Sequence, residues 1–322
     1  MLSMNSYLRT ISASFALYIL IGVSACDQQN QQGPSNEDSA AARPHVALVM
    51  KSLANEFFTA MAEGAQAHQA RNAEAYQLTV NGIKNEVDLA QQVALVEQMI
   101  ASRVDAIVIA PASSQGLIPV IRKAQAQGIT VVNIDNKLDT ETLQQEGMTV
   151  PFIGPDNREG AYEVAKFAAQ SLDKGDQVAI LGGAPGAFNA QQRALGFKDA
   201  IAESGLSLVS EQSADWEQGK AASVTSAIIS EQPKLKAIFA ANDNMALGAL
   251  AALRQANKVG EVVVIGFDNI QAAKELVEKG DMLATADQHG DKLAVYGIEY
   301  ALSILNGEPV ADKKTPVDLV VQ

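Results

Sequence analysis

From His45 onward, short runs of apolar, mostly β-branched residues alternate with longer amphipathic segments. "VALVM" (46–50) precedes 56–73, "YQLTV" (76–80) precedes 87–101, "AIVIA" (106–110) precedes 115–127, and "TVVNI" (130–134) closes a first set. A second set follows: "PFIG" (151–154) before 157–172, "QVAIL" (177–181) before 189–204, "LSLVS" (206–210) before 217–231, "KAIFA" (236–240) before 243–257, and "VVVIGF" (262–267) before 270–279. "MLATA" (282–286) leads into 291–306, and "VDLVV" (317–321) comes last. A strand with one wet face alternates apolar and polar residues. These runs are apolar nearly throughout, so both of their faces are covered. Alternating strand and helix with both sheet faces buried means an α/β protein built on parallel sheets. A chain of 322 residues is too long for one small core and fits two domains of roughly 100–150 residues each.

The two sets echo each other. "VVNIDN" (131–136) is matched by "VVIGFDN" (263–269), and "DAIVIAPASS" (105–114) by "KAIFAANDN" (236–244). Open α/β sheets bind ligands beyond the carboxyl ends of their strands. Two facing domains would therefore point Asp135 and Asp268 into one crevice. Polar and aromatic residues collect at the other strand ends too: Lys51, Asn55, Phe57 and Phe58 after the first run, Asn136 beside Asp135, then Trp216, Asn242 and Gln288. Such groups suit a small polyhydroxylated ligand. A carboxylate accepts from two neighbouring hydroxyls, an amide both donates and accepts, and an aromatic face covers the C–H face of a sugar ring. The bland readings stand beside this one: Asn55 as an N-cap, Phe57 as core, Trp216 as a packing anchor, Lys51 as a solvated charge.

"VALVMKSLANEFF", "IVIAPASS", "VVNIDNKLD", "SADWEQGKA", "FAANDNMALGAL" and "VVVIGFDNI", in this order, resemble the exported sugar-binding proteins of bacterial ABC importers. These are type I periplasmic binding proteins, and the resemblance is to their ribose- and allose-binding branch over about 45–322. It implies two similar Rossmann-like parallel-sheet lobes joined by a three-strand hinge. The N-terminal lobe would be 45–149 plus 289–317, and the C-terminal lobe 150–288 plus 318–322. The sugar would lie between them, stacked by Phe58 and Trp216. Asn55, Asp135, Asn242, Asp268 and Gln288 match polar ligand positions of the family, and Phe57 and Phe267 match apolar ones. The family's Arg in the loop after "VAILGG" falls on Gln191, with Arg193 two residues later. Lys51 and Ala110 side with the allose type, and Asn136 stands where ribose proteins carry Arg. The resemblance therefore points to a pyranose hexose such as an allose-like sugar, or a related polyol. Ribose, inositol or another small polyol is the alternative. It implies a monomer that closes on its guest and docks on an ABC permease in the inner membrane. The rival use of the same fold is a sensor feeding a chemoreceptor or sensor kinase.

Ahead of the body, "ISASFALYILIGVSA" (11–25) is too short for a comfortable membrane span and reads as an export signal. "VSAC" (23–26) looks like a lipoprotein box with Val23 in place of the usual Leu, which would make Cys26 the acylated first residue and leave a lipid as the only membrane attachment; ordinary cleavage after Ala25 is the alternative that the same small residues permit. Asp27 resembles an inner-membrane retention signal. The expected location is the periplasm, at the inner membrane. Residues 26–44 are polar and aperiodic, a flexible tether. Cys26 is the one cysteine, which excludes an internal disulfide, a Cys metal site and a Cys nucleophile. A net charge of −13 without a dense basic patch argues against nucleic acid. A repressor of the same fold would need an N-terminal helix-turn-helix, which residues 1–44 do not supply. His45, His68 and His289 are scattered and read as structural, no motif binds nucleotide, and neither a catalytic set nor a cofactor or metal cluster stands out. The expectation is a binding protein, not an enzyme.

Overall fold

Strand β1 (His45–Ser52) shows how the sequence is used. All of its residues after His45 are buried, and successive side chains point to opposite faces. Val46, Leu48 and Met50 pack in one core with Phe57, Phe58 and Met61 of α1 (Glu56–Arg71) and with Leu293 and Ile298 of α10 (Gly290–Leu305). Ala47 and Val49 pack in another, with Val96 and Ile100 of α2 (Leu89–Ala101) and Val120 and Ile121 of α3 (Ile118–Gln125). This computed structural model describes residues 43–322. The expected export signal, Cys26 and all of the expected 26–44 tether except Arg43 and Pro44 lie outside the described residues. Among the described residues, no helix is long and apolar enough to cross a membrane.

Around β1 the first sheet adds β2 (Gln77–Ile83), β3 (Ala106–Ile109), β4 (Thr130–Ile134), β5 (Phe152–Pro155) and β11 (Lys313–Thr315). Their order is β11-β5-β4-β3-β1-β2, all parallel. A short helix, α4 (Thr140–Gln145), follows β4. The second sheet is built from β6 (Gln177–Gly182), β7 (Ser207–Ser213), β8 (Leu235–Ala240), β9 (Val263–Ile265), β10 (Ala284–Asp287) and β12 (Asp318–Val321). Its order is β12-β10-β9-β8-β6-β7. Its helices are α5 (Asn157–Ala169), α6 (Phe188–Ser204), α7 (Gln218–Glu231), α8 (Asp243–Gln255) and α9 (Gln271–Lys279). In both sheets the second strand lies on one side of the first and the third on the other. The order thus reverses at β1/β3 and again at β6/β8, the position where α/β sheets open a crevice. The echo between "VVNIDN" and "VVIGFDN" is the trace of this repeated plan.

The chain passes between the sheets three times: after β5, after β10 and after β11. One detail departs from the expected boundaries and one from the expected parallel direction. β5 pairs with β4, Asn133 opposite Phe152, so the first lobe runs through Pro155 and does not end at 149. An apolar run marks a strand without saying which sheet edge it joins. β12 runs antiparallel to β10, Ala284 opposite Val321, and strand direction is equally silent in such a run.

Several helices carry their own N-cap: Asn55, Asp88, Asp139, Asp156 and Asn242 each accept a hydrogen bond from their helix's first turn. α6 and α9 do not, since Ala187 and Ile270 stand at their caps.

Candidate functional site

The carboxyl ends of both sheets face one crevice. β1 delivers Lys51, and the turn into α1 delivers Asn55, Phe57 and Phe58. Glu86 follows β2, Asp135 follows β4, and the first turns of α6 supply Asn189 and Arg193. Trp216, Asn242, Asp268 and Gln288 come from beyond β7, β8, β9 and β10. These residues line a single buried cavity. Three of them hold strained backbone: φ is 61° at Asp135, 69° at Trp216 and 121° at Asp268. Such values are uncommon outside glycine and persist where surrounding structure enforces them, often at functional sites.

Two cations and three carboxylates set the electrostatics. Lys51 Nζ lies 3.1 Å from Asp135 Oδ2, with both side chains buried. The ammonium also sits over two rings, 5.4 Å from the Phe58 centroid and 5.5 Å from that of Trp216. Arg193 donates through Nε to Asn157 Oδ1 at 2.8 Å and through a terminal nitrogen to the Ala241 carbonyl at 2.8 Å. The same nitrogen reaches Asp268 Oδ1 at 3.3 Å. Its guanidinium stacks 3.7 Å over Phe267. The third carboxylate, Glu86, accepts from Asn55 Nδ2 at 2.9 Å. Burial pushes Glu86 up to about 7; Lys51 and the Asn55 hydrogen bond oppose the rise, and the charges of Asp135 and Asp268 add to it. Burial likewise raises Asp268 to about 7, against the pull of Arg193. Behind the cavity Asp243 is fully buried and held well above the carboxylate range by desolvation and by Asp268. It accepts from Thr285 Oγ1 at 2.7 Å and from the Ile270 amide at 3.0 Å.

Two buried acceptors in this wall have no hydrogen-bond donor: Asp135 Oδ2 and Gln288 Oε1. Lys51 neutralises the first at ion-pair distance without hydrogen-bonding geometry. Gln288 spends its amide N–H on Asp268 Oδ1, 2.6 Å away. Buried polar atoms are rarely left without partners, and each such acceptor is suited to a hydroxyl donor. The free space is about 20 Å³, room for one or two waters, because the Lys51 and Arg193 side chains reach into it.

Most of the expected site residues converge on this cavity. Asn55 is both its wall and the N-cap of α1, accepting from the Phe57 amide at 3.0 Å. Phe57 and Phe58 meet edge to face, centroids 5.1 Å apart. Asn242 caps α8 and donates to the Trp216 carbonyl.

Three expected residues do not line the cavity. Gln191 is exposed and donates to the Pro185 carbonyl; two residues on, about 200° around the helix, Arg193 takes the inward position. Phe267 lies one layer back, beneath the Arg193 guanidinium. Asn136 is fully buried in a polar seam, donating to the Pro111 carbonyl at 3.0 Å.

Glu86 and Asn189 are the lining residues that strand-end reasoning passes over. β2 continues to Ile83, beyond the apolar run ending at Val80, so Glu86 follows a strand end that the pattern places too early. Asn189 sits inside a helix, where the sequence offers no signal. The three histidines pair elsewhere, with Thr79, Tyr76 and Asp318. Among the described residues, no group of three or more His, Cys, Asp or Glu is arranged to hold a metal ion.

A family model described as "Periplasmic binding protein domain" matches residues 46–309. A D-ribose/D-allose-binding protein of Pseudomonas aeruginosa is 51% identical over 86% of this chain and 89% of its own length. Among solved structures, an ABC transporter solute binding protein from Burkholderia multivorans is 52% identical with a TM-score of 0.85, covering 87% of this chain and 100% of its own. A periplasmic solute binding protein from Actinobacillus succinogenes with bound D-allose is 38% identical with a TM-score of 0.82, covering 87% of this chain and 98% of its own.

Proposed function

Because the chain belongs to the periplasmic binding protein domain family, we propose that it is the solute-binding component of an ABC sugar importer, holding one monosaccharide between its lobes. The observation that carries this reading is the pair of donorless buried acceptors, Asp135 Oδ2 and Gln288 Oε1, in a cavity bounded by aromatic rings from both lobes. Sugar hydroxyls are the donors these atoms lack. Asp135, Asp268 and Glu86 accept from hydroxyls, Asn55, Asn189, Asn242 and Gln288 exchange donors and acceptors, and Phe58 and Trp216 cover the ring faces. Lys51, now between those two rings, swings toward a ring or exocyclic oxygen. No bond is made or broken in the sugar: capture and release are the whole cycle.

Lys51, Ala110 and the names of the relatives favour an allose-like hexopyranose, with D-ribose the second reading. The specific support for ribose is Arg193, which restores the cation that Gln191 lacks. Closure follows from contacts that a guest makes to both lobes at once, since only a difference in affinity between open and closed forms shifts their balance. The body works in the periplasm, held near the inner membrane by an acylated Cys26, as a monomer that presents its closed form to the permease.

Calorimetric titration with D-allose, D-ribose, D-fucose and myo-inositol tests this. Saturable one-to-one binding of at least one is expected, with a matching rise in melting temperature. Binding of none, or full retention of affinity in Asp135→Asn, overturns it.

A further inference from the structure

We propose that Ser114, Asn136 and Glu56 are closure residues: from the first lobe they cap two helices of the second, so that bringing the lobes together completes helix ends that the second lobe leaves open. The first four N–H groups of a helix have no partner within it. In α6 the N-cap is Ala187, which has no side-chain acceptor. The Phe188 amide instead donates to Ser114 Oγ at 2.9 Å, and the Asn189 amide to Asn136 Oδ1 at 3.2 Å. The Ser114 amide returns a bond to the Gly186 carbonyl at 3.2 Å. The remaining amides of that turn are met locally, Ala187 by the Ala184 carbonyl and Ala190 by Asn189 Oδ1.

On the other helix the same device recurs. α9 begins after Ile270, and the Gln271 amide donates to Glu56 Oε1 of α1 at 2.7 Å. A carboxylate at a helix N-terminus also gains from the helix dipole.

Two of the three acceptors are fixed by bonds within their own lobe. Asn136 donates to Pro111, its own carbonyl accepts from Asn133 Nδ2 at 2.9 Å, and Ser114 Oγ donates to Asn136 Oδ1 at 3.3 Å. Asn136 is 0% and Ser114 7% exposed. α6 also carries Asn189 and Arg193 into the cavity, so its trans-capped end positions two cavity side chains. When the lobes part, these amides turn to water and the cap contribution is lost. Losing a cap of this kind corresponds to about a two- to thirty-fold change in an equilibrium.

The affinity arm of the test rests on sugar binding between the lobes; the distance arm does not. One spin label is placed on each lobe of the full chain, and inter-lobe distances are measured without sugar and with D-allose. Three variants are compared. Ser114→Ala and Glu56→Ala remove trans-caps, while Ala187→Ser gives α6 a cap of its own that works equally well when the lobes are apart. All three are expected to shift the sugar-free distances outward, and Ser114→Ala and Ala187→Ser to weaken D-allose binding about two- to thirty-fold. Ala187→Ser should do so with an unchanged or raised melting temperature, an opposition that a purely structural role does not produce. Unchanged distances in Ala187→Ser and Ser114→Ala overturn the proposal, even if melting temperatures move. A wild-type chain that binds no sugar overturns the functional reading instead, and the distances still decide this one.

Discussion

Trp216 holds its indole on a backbone with φ of 69°, a conformation that a bulky residue adopts only under constraint. Gly183, just past the end of β6, makes room for the ring: a Cβ there would come within 2.1 Å of the indole. Gly183→Ala therefore acts as a Trp216 variant at a distance, pushing the ring out of the cleft. An aromatic face is worth about 0.5–1.5 kcal/mol beyond its buried area, so D-allose affinity should fall by up to about ten-fold, and the urea midpoint should fall too, because overpacking a buried ring costs about 1–3 kcal/mol. Asp135→Asn removes a charged acceptor, and hydrogen bonds to charged groups contribute about 1.5–3 kcal/mol; a ten- to hundred-fold loss in calorimetric affinity is expected. At this scale the sequence is legible where a cavity residue follows a clearly apolar strand, as with Asp135 and Asp268. It misleads where helix phase decides. Gln191 and Arg193 are both polar, and only the direction each faces on α6 separates the solvated one from the one in the cleft.

Helix α6 also shows how tightly the second lobe is built. A Cβ on Gly196 would fall 2.2 Å from the Arg158 carbonyl oxygen of α5, so these helices touch backbone to backbone. Gly196→Ala must push them apart; overpacking of this kind costs about 1–3 kcal/mol, to be read as a lower urea midpoint. The alternation of elements is legible because a strand covered on both faces needs an apolar residue at nearly every position, and the repeat tells that the two lobes share one plan. The side of the cleft that β5 joins and the direction of β12 are not, because both depend on pairing partners far away in the chain. Nor is the missing cap on α6 legible as a device. An alanine before a helix is a weak cap in any sequence, and its meaning comes from Ser114 and Asn136 across the cleft.

The molecule as a whole buries acids that it holds above their ordinary range. Glu86 and Asp268 stand at about 7 when folded, against ordinary values of 4.5 and 3.8, and Asp243 is raised as well. Between about pH 4 and 7 the folded chain therefore keeps protons that the unfolded chain gives up, so stability falls as pH rises through that window. The carboxylates with lowered values, such as Asp156 and Asp312, act below it. Urea midpoints of the sugar-free protein should thus be higher at pH 5 than at pH 8, and Glu86→Gln should shrink the difference; a midpoint that rises with pH would contradict this. The three crossings between sheets carry one more consequence, for synthesis. β11 is a strand of the first sheet and α10 packs on that sheet, yet both leave the ribosome after nearly all of the second. At about 5–20 residues per second the nascent first lobe waits roughly 7–30 s with Leu48, Val108, Val132 and Ile134 bare on the face that α10 will cover. Whatever escorts the polypeptide out of the cytosol meets a half-roofed N-terminal domain, and neither half can be finished without the other.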